Sequence, residues 1–163
     1  SNHIRNYYRR YGCNFISVLP VNLYGQGDNY DLETSHVMPA LLAKFHEAKE
    51  KKLSFVKIWG GGAAKREFLH VDDVADACLF LMLKYNESEP INVGAGEEIS
   101  IRDLSMLIKE ISGYKGELKF DTSRPEGILS KMLDVSKIHA LGWKHKIGLR
   151  EGIKETYENF SNK

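Results

Sequence analysis

The sequence predicts an α/β fold, and three observations carry that prediction. A segment with helical spacing leads through Gly12 into CNFISVLPVNLYG, a nearly continuous apolar run of the kind that forms a strand covered on both faces. A second strand pattern, LSFVKIW, is followed by a glycine turn, the short extended piece REFLHV and an apolar helix pattern. Further helix patterns alternate with short apolar runs down to residue 160, as layers of helices on a sheet require.

Taken in order, Ile4, Tyr7, Tyr8 and Tyr11 recur at helical spacing and stop at Gly12, the residue type that caps helix C-termini. The apolar run that follows ends in Pro20, Asn22 and Gly25, which close a strand. A polar loop, GQGDNYDLETSH, then brings His36 to the head of a helix over HVMPALLAKFHEAKEKK. Val37, Leu41, Lys44, Phe45 and Ala48 share one face of it, and Pro39 is tolerated in the first turn. The segment 59–73, WGGGAAKREFLHVDD, concentrates the polar chemistry of the chain. Its helix is expected to open on Asp72 or Asp73 and to run to about Lys84, apolar on most sides and therefore buried.

Residues 91–93 read as a short strand turning on glycines, and Ser100 with Asp103 forms a capping box for IRDLSMLIKEIS, which ends at Gly113. ELKFD reads as an edge strand and SRPEGILSKMLD as a loop with an extended tail. DVSKIHALGW reads as a short helix ending at Gly142, and GLREGIKETYENF as a closing amphipathic helix. No linker or repeat divides the chain, so one compact α/β unit over residues 1–163 is expected.

The charges nearly cancel, 23 Lys and Arg against 22 Asp and Glu, which removes the whole-chain case for nucleic acid or an acidic membrane surface as partner. No apolar run approaches a membrane span. Two cysteines, Cys13 and Cys78, make neither a disulfide framework nor a zinc site, and a reducing cytoplasm fits that usage. Neither GxGxxG, nor a P-loop, nor a metal-ligand pattern occurs.

Against that background a few residues stand out. Trp59 and Arg66 belong to loops at one rim of a sheet, the place where open α/β folds hold ligands. The guanidinium of Arg66 can grip phosphate oxygens bidentately, beside glycines that permit close approach. Its bland alternative is an ion pair with Asp72 or Asp73. Lys44 and Lys131 can add positive charge, or be solvated surface lysines. His36, next to a helix N-terminus, can exchange a proton near neutrality, or serve as a cap. His46 is expected on an exposed helical face and His70 within a strand. Cys13 is read as packing, not as a thiol partner of His36.

Five stretches together resemble one family: LPVNLYG, DNYDLETSHVMPALLAKFHEAK, WGGGAAKREFLHVDDVADA, INVGAGEEISIRDL and SRPEGILSKMLDVSKIHALGW. They are similar to the C-terminal half of the GDP-L-fucose synthase family, a branch of the extended short-chain dehydrogenase/reductases, and the resemblance covers nearly the whole chain. It implies the substrate-binding part of such an enzyme with the last strands of its Rossmann sheet. The activity implied is inversion of two carbons beside the ketone of GDP-4-keto-6-deoxy-D-mannose, followed by reduction of that ketone with NADPH.

Residue by residue, His36 resembles the family's acid/base histidine. Pro20, Val21, Asn22 and Leu23, with His36, resemble the nicotinamide-side cofactor contacts. Lys44, Trp59 and Arg66 resemble the residues that hold the nucleotide and its diphosphate, with Lys131 a further candidate, and at position 44 an arginine is also common in the family. The family's GxxGxxG turn, its active-site serine and cysteine, and its Tyr-x-x-x-Lys pair all precede the point matched by Ser1. On the resemblance, then, the chain is one half of a longer NADP-binding, homodimeric protein whose dinucleotide-binding half lies outside it. A nucleotide-sugar binding module without catalysis, and a sister enzyme such as a 4,6-dehydratase or 4-epimerase, are the alternatives.

Overall fold

The computed structural model describes residues 2–123 and 127–162, with backbone alone for residues 2–5. The facial placement of Ile4 and the part of the expected 123–134 loop at Arg124, Pro125 and Glu126 lie outside the described residues.

Fourteen described elements follow one another as α1 (Asn2–Tyr11), β1 (Val18–Pro20), β2 (Asn22–Tyr24), α2 (Val37–Glu50), β3 (Phe55–Trp59), β4 (Lys65–Arg66), β5 (Phe68–His70), α3 (Val71–Lys84), β6 (Ile91–Val93), β7 (Ile99–Ser100), α4 (Ile101–Ser112), β8 (Glu117–Asp121), α5 (Ser136–Ala140) and α6 (Leu149–Ser161). The strands form two-stranded ladders: β1 with β6, β2 with β5 and β3 with β8 are parallel, and β4 with β7 is antiparallel. The expected first strand is thus two strands in line. It exchanges one partner for another at Val21, whose N–H still donates to Val93 O (3.1 Å) before Asn22 takes up Phe68.

Nor is that strand covered on both faces. Leu19 is 47% exposed and Pro20 beside it is exposed as well, as is Phe15 ahead of β1. The expectation for α3 fails in the same way. Ala77 and Leu81 are buried, but Met82 and Leu83 are 70% and 83% exposed, so the helix docks by a single stripe. It also opens at Val71 rather than at Asp72 or Asp73. His70, the last residue of β5, is its N-cap and accepts from the Asp72 N–H at 3.3 Å.

Where local chemistry governs, expectation and structure agree. The Ser100 hydroxyl accepts from the Asp103 N–H (3.0 Å) at the start of α4, and Gly113 caps its end in the left-handed conformation (φ 73°). Helix α1 stops as predicted, with the Gly12 N–H donating to Tyr8 O. No helix among the described residues is long and apolar enough to cross a membrane.

Two apolar clusters hold the layers together. Met38, Leu42, Phe45, Ile58, Leu104, Ile108 and Ile153 lock α2, α4 and α6 onto β3, while Leu69, Leu81, Ile91, Val93, Ile138 and Trp143 join α3 and α5 to β5 and β6. Because α6 closes over α2, His46 is half-buried instead of exposed, its Nδ1 lying 3.2 Å from the Tyr157 hydroxyl and its ring edge-on to Phe160. Asp73 links the clusters. Its buried carboxylate accepts backbone N–H bonds from Lys146 (2.9 Å) and Ile147 (3.0 Å), fixing the connection between α5 and α6.

Replacing Asp73 by Ala strands both N–H groups and should lower stability by about 3 kcal/mol. The urea midpoint should fall with an unchanged slope; an unshifted midpoint would remove Asp73 from that role. A second prediction concerns β3 and β8. The Lys57 ammonium (2.6 Å) and then the Ser123 hydroxyl bind Asp121 and depress its pKa to about 2. A depressed carboxyl stabilises the fold above its unfolded value, near pH 4, and this contribution disappears as pH falls toward about 2. Carboxyl NMR should show that midpoint, and Lys57→Met should raise it toward the ordinary aspartate range.

Candidate functional site

The C-terminal ends of β1 and β2 and the loop after them wall a cavity of about 520 Å³, lined by Pro20, Val21, Asn22, Leu23, His36 and Val71 among others. All five residues proposed for the nicotinamide side therefore surround one space. His36 is the N-cap of α2 in extended conformation (φ −70°, ψ 168°), and its carbonyl accepts from the Ala40 N–H. Its side chain makes no capping bond and is exposed at the cavity, so the capping alternative holds for the backbone only. The Asn22 amide is pinned, donating to Glu67 O at 2.7 Å.

On the other side of α2, the period of two along β3 turns Val56 and Ile58 inward and Trp59 outward, where it is 58% exposed. The Lys44 ammonium lies 4.5 Å from the Trp59 ring centroid. Partial burial lowers the Lys44 pKa, since the charged form loses water there. Lys44 and Trp59 together line two cavities, one of about 720 Å³ against Glu47, Phe55 and Lys57, and one of about 260 Å³ against Ser35, Val37 and Ile101. Trp59 also lines a third, of about 160 Å³, with Arg66 and Gly127.

Arg66 does not pair with Asp72 or Asp73. Its Nη1 donates to Lys65 O (2.6 Å) and Ile128 O (2.7 Å), while Asp73 is occupied by backbone N–H groups and Asp72 lies near His70. The glycine turn differs in detail from expectation. At Gly62 (φ 81°) a Cβ would come within 2.7 Å of the Phe120 ring, and the carbonyls of Gly61 and Gly62 accept from Arg102, so its missing side chain serves packing against β8 and α4. Lys131 is exposed and is not among the described residues that line the cavities of Lys44, Trp59 and Arg66.

Two contributors were not singled out from the sequence. Glu67 is completely buried; its Oε1 accepts from the Gly96 N–H (2.7 Å) and its Oε2 lies 3.4 Å from the Leu133 N–H. Gly94 is required beside it, because a Cβ there would collide with Oε1. A lone carboxylate next to the wholly buried FLH strand is the signal that could have marked it. Ser35 carries no such signal. Of groups that could hold a metal, His70, Asp72 and Glu155 place ligand atoms within 4.8 Å of one another, but the His70 Nδ1 lone pair already receives the Asp72 N–H.

Residues 1–94 match the NAD dependent epimerase/dehydratase family. GDP-L-fucose synthase 1 of Arabidopsis thaliana is 48% identical over 149 residues, covering 91% of this chain and 46% of that protein. Among solved structures, a GDP-L-fucose synthetase from Naegleria fowleri bound to NADP superposes with a TM-score of 0.91 at 30% identity, covering 99% of this chain and 51% of the other. A GDP-6-OMe-4-keto-L-xylo-heptose reductase from C. jejuni gives 0.91 at 36% identity over 99% of this chain and 57% of its own. The chain spans about half the length of the curated relatives it matches. With its strand order, its rim cavities and these likenesses in agreement, the chain belongs to the NAD dependent epimerase/dehydratase family.

Proposed function

We propose that the chain is the nucleotide-sugar-binding half of an NADP-dependent epimerase and reductase that converts GDP-4-keto-6-deoxy-D-mannose to GDP-L-fucose. The observation that carries this reading is spatial. The cofactor-side residues line one cavity, the nucleotide-side residues Lys44 and Trp59 line others, and the consecutive residues Ser35 and His36 face one of each.

A carbon beside a ketone holds its proton loosely, because the electrons left behind spread onto the carbonyl oxygen. His36 would take or return that proton: its imidazole is exposed at the cavity and carries no capping bond. Return to the opposite face inverts the carbon. The bound dinucleotide would supply the hydride for the ketone. Pro20, Val21 and Leu23 offer an apolar wall suited to a nicotinamide ring, and the Asn22 amide, held by Glu67 O, keeps that wall in place. Trp59 would stack on the nucleotide, Lys44 would act on the diphosphate as a point charge, and Arg66 would add a planar fork oriented by Ile128 O. A homodimeric parent in a reducing cytoplasm belongs to the same reading, supported by the exposed Leu79, Met82 and Leu83 of α3 and by two free thiols, Cys13 and Cys78.

Arg66→Ala should weaken GDP binding by about 2 kcal/mol, roughly thirtyfold, with Arg66→Lys recovering part of it. Calorimetry alongside thermal melts separates ligand contact from support of the 127–130 segment: a stable Arg66→Ala chain with wild-type GDP affinity would take Arg66 out of the site. In the full-length parent, His36→Gln should slow deuterium exchange at the two carbons beside the ketone by about two to four powers of ten, with a smaller effect on ketone reduction. Unchanged exchange would leave His36 as a backbone cap.

A further inference from the structure

We propose that Phe160 is a positioning residue for His36: its ring, set between Tyr30 and His46, fixes the angle between the loop that ends at His36 and the helix that starts after it. This rests on the acid/base reading of His36 given above. His36 stands at a vertex. Residues 25–35 reach it from β2, and α2 leaves it at Val37. The His36 side chain makes no capping bond, so the direction of its imidazole follows the two backbone arms that meet there.

Each arm is stiff in itself. In the loop, the Asp31 carboxylate accepts from the Glu33 N–H (3.1 Å), the Thr34 N–H (2.9 Å) and the Thr34 hydroxyl (2.8 Å). The Asp31 carbonyl accepts from the Ser35 N–H (2.9 Å), and the Asn29 amide donates to the Thr34 hydroxyl oxygen (3.0 Å). These bonds make residues 29–35 one body, so a contact that fixes Tyr30 also fixes Ser35, next to His36. The other arm is the helix α2, which carries His46. Helix α6 joins the arms. The Phe160 ring stacks on Tyr30 (centroids 4.3 Å apart, planes at 25°) and meets His46 edge-on (5.2 Å, 75°). One turn earlier on α6, the Tyr157 hydroxyl lies 3.2 Å from His46 Nδ1 and fixes that ring in turn. A single side chain thus spans both arms. A misplacement of about 1 Å at a reacting group can slow a reaction about a hundredfold, so an angle set this far from the chemistry still governs it.

The test follows solvent-deuterium exchange beside the ketone in the full-length parent, at a temperature where melts show every variant folded. Phe160→Leu keeps an apolar side chain but loses the ring that spans the arms. Its exchange rate at saturating GDP-sugar should fall about tenfold with KM within about twofold, and Phe160→Tyr, which keeps the ring, should restore most of the rate. Asp31→Ala, which unties the loop, should slow exchange in the same way. Because both changes cut one path, the double variant should be little slower than the slower single one. A Phe160→Leu enzyme that melts lower but exchanges at the wild-type rate would overturn the proposal, as would a loss that Phe160→Tyr does not restore or fully additive effects in the double variant. Wild-type exchange in His36→Gln would instead overturn the acid/base reading on which the proposal depends.

Discussion

The buried carboxylate of Glu67 is the interaction around which both rims of the site are arranged. It sits between β4 and β5 with no exposure, and its oxygens reach two otherwise separate backbone segments, the turn at Gly96 and the stretch at Leu133. Its own carbonyl holds the Asn22 amide at one cavity, and its neighbour Arg66 grips Ile128 at another. A carboxyl group so deeply buried is tolerable only because its oxygens meet backbone N–H groups, and that requirement forces the segments into place. Gly94 is glycine for the same reason: the carboxylate occupies the room of its side chain.

From that anchor the chemistry divides across α2. The cavity at the ends of β1 and β2 sets the apolar Pro20, Val21, Leu23 and Val71 beside Asn22, Gln26, Asp28 and a single imidazole, that of His36. The cavities that Lys44, Trp59 and Arg66 line carry a partly desolvated ammonium over an indole, with a tethered guanidinium nearby. Desolvation strengthens the pull of Lys44 on any anion that enters, because less water screens it. Neither group needs an ionic partner of its own to stay in place: stacking positions Lys44 and backbone carbonyls position Arg66. Among the described residues no carboxylate pairs with either charge.

Much of the fold was legible wherever residues close in sequence settle the outcome. The Ser100 and Asp103 capping box, the left-handed Gly113 and the amphipathic stripe of α4 are interactions within one or two turns, and the spacing alone exposed them. The gathering of Pro20, Val21, Asn22, Leu23 and His36 around one cavity came from the resemblance, since a strand end and a helix cap separated by a loop carry no shared local signal. Arg66 was singled out as an anion ligand, yet its partner, the carbonyl of Ile128, could not be foreseen from a pattern because any residue supplies a carbonyl. Lys131 was carried over by the resemblance, and the structure shows it exposed.

The sequence by itself determined where the main helices lie, the ends of α1 and α4 and the identity of the residues with unusual chemistry, because those depend on periodicity, capping and side-chain structure. Tertiary structure alone decided the exchange of strand partners at Val21, the exposure of Met82 and Leu83, the burial of His46 under α6 and the isolation of the Ser35 hydroxyl. Each of these depends on which distant segment arrives at a given face. An apolar stripe states that something must cover it, but the same residues satisfy that demand equally with many partners, and only packing of the whole chain selects one.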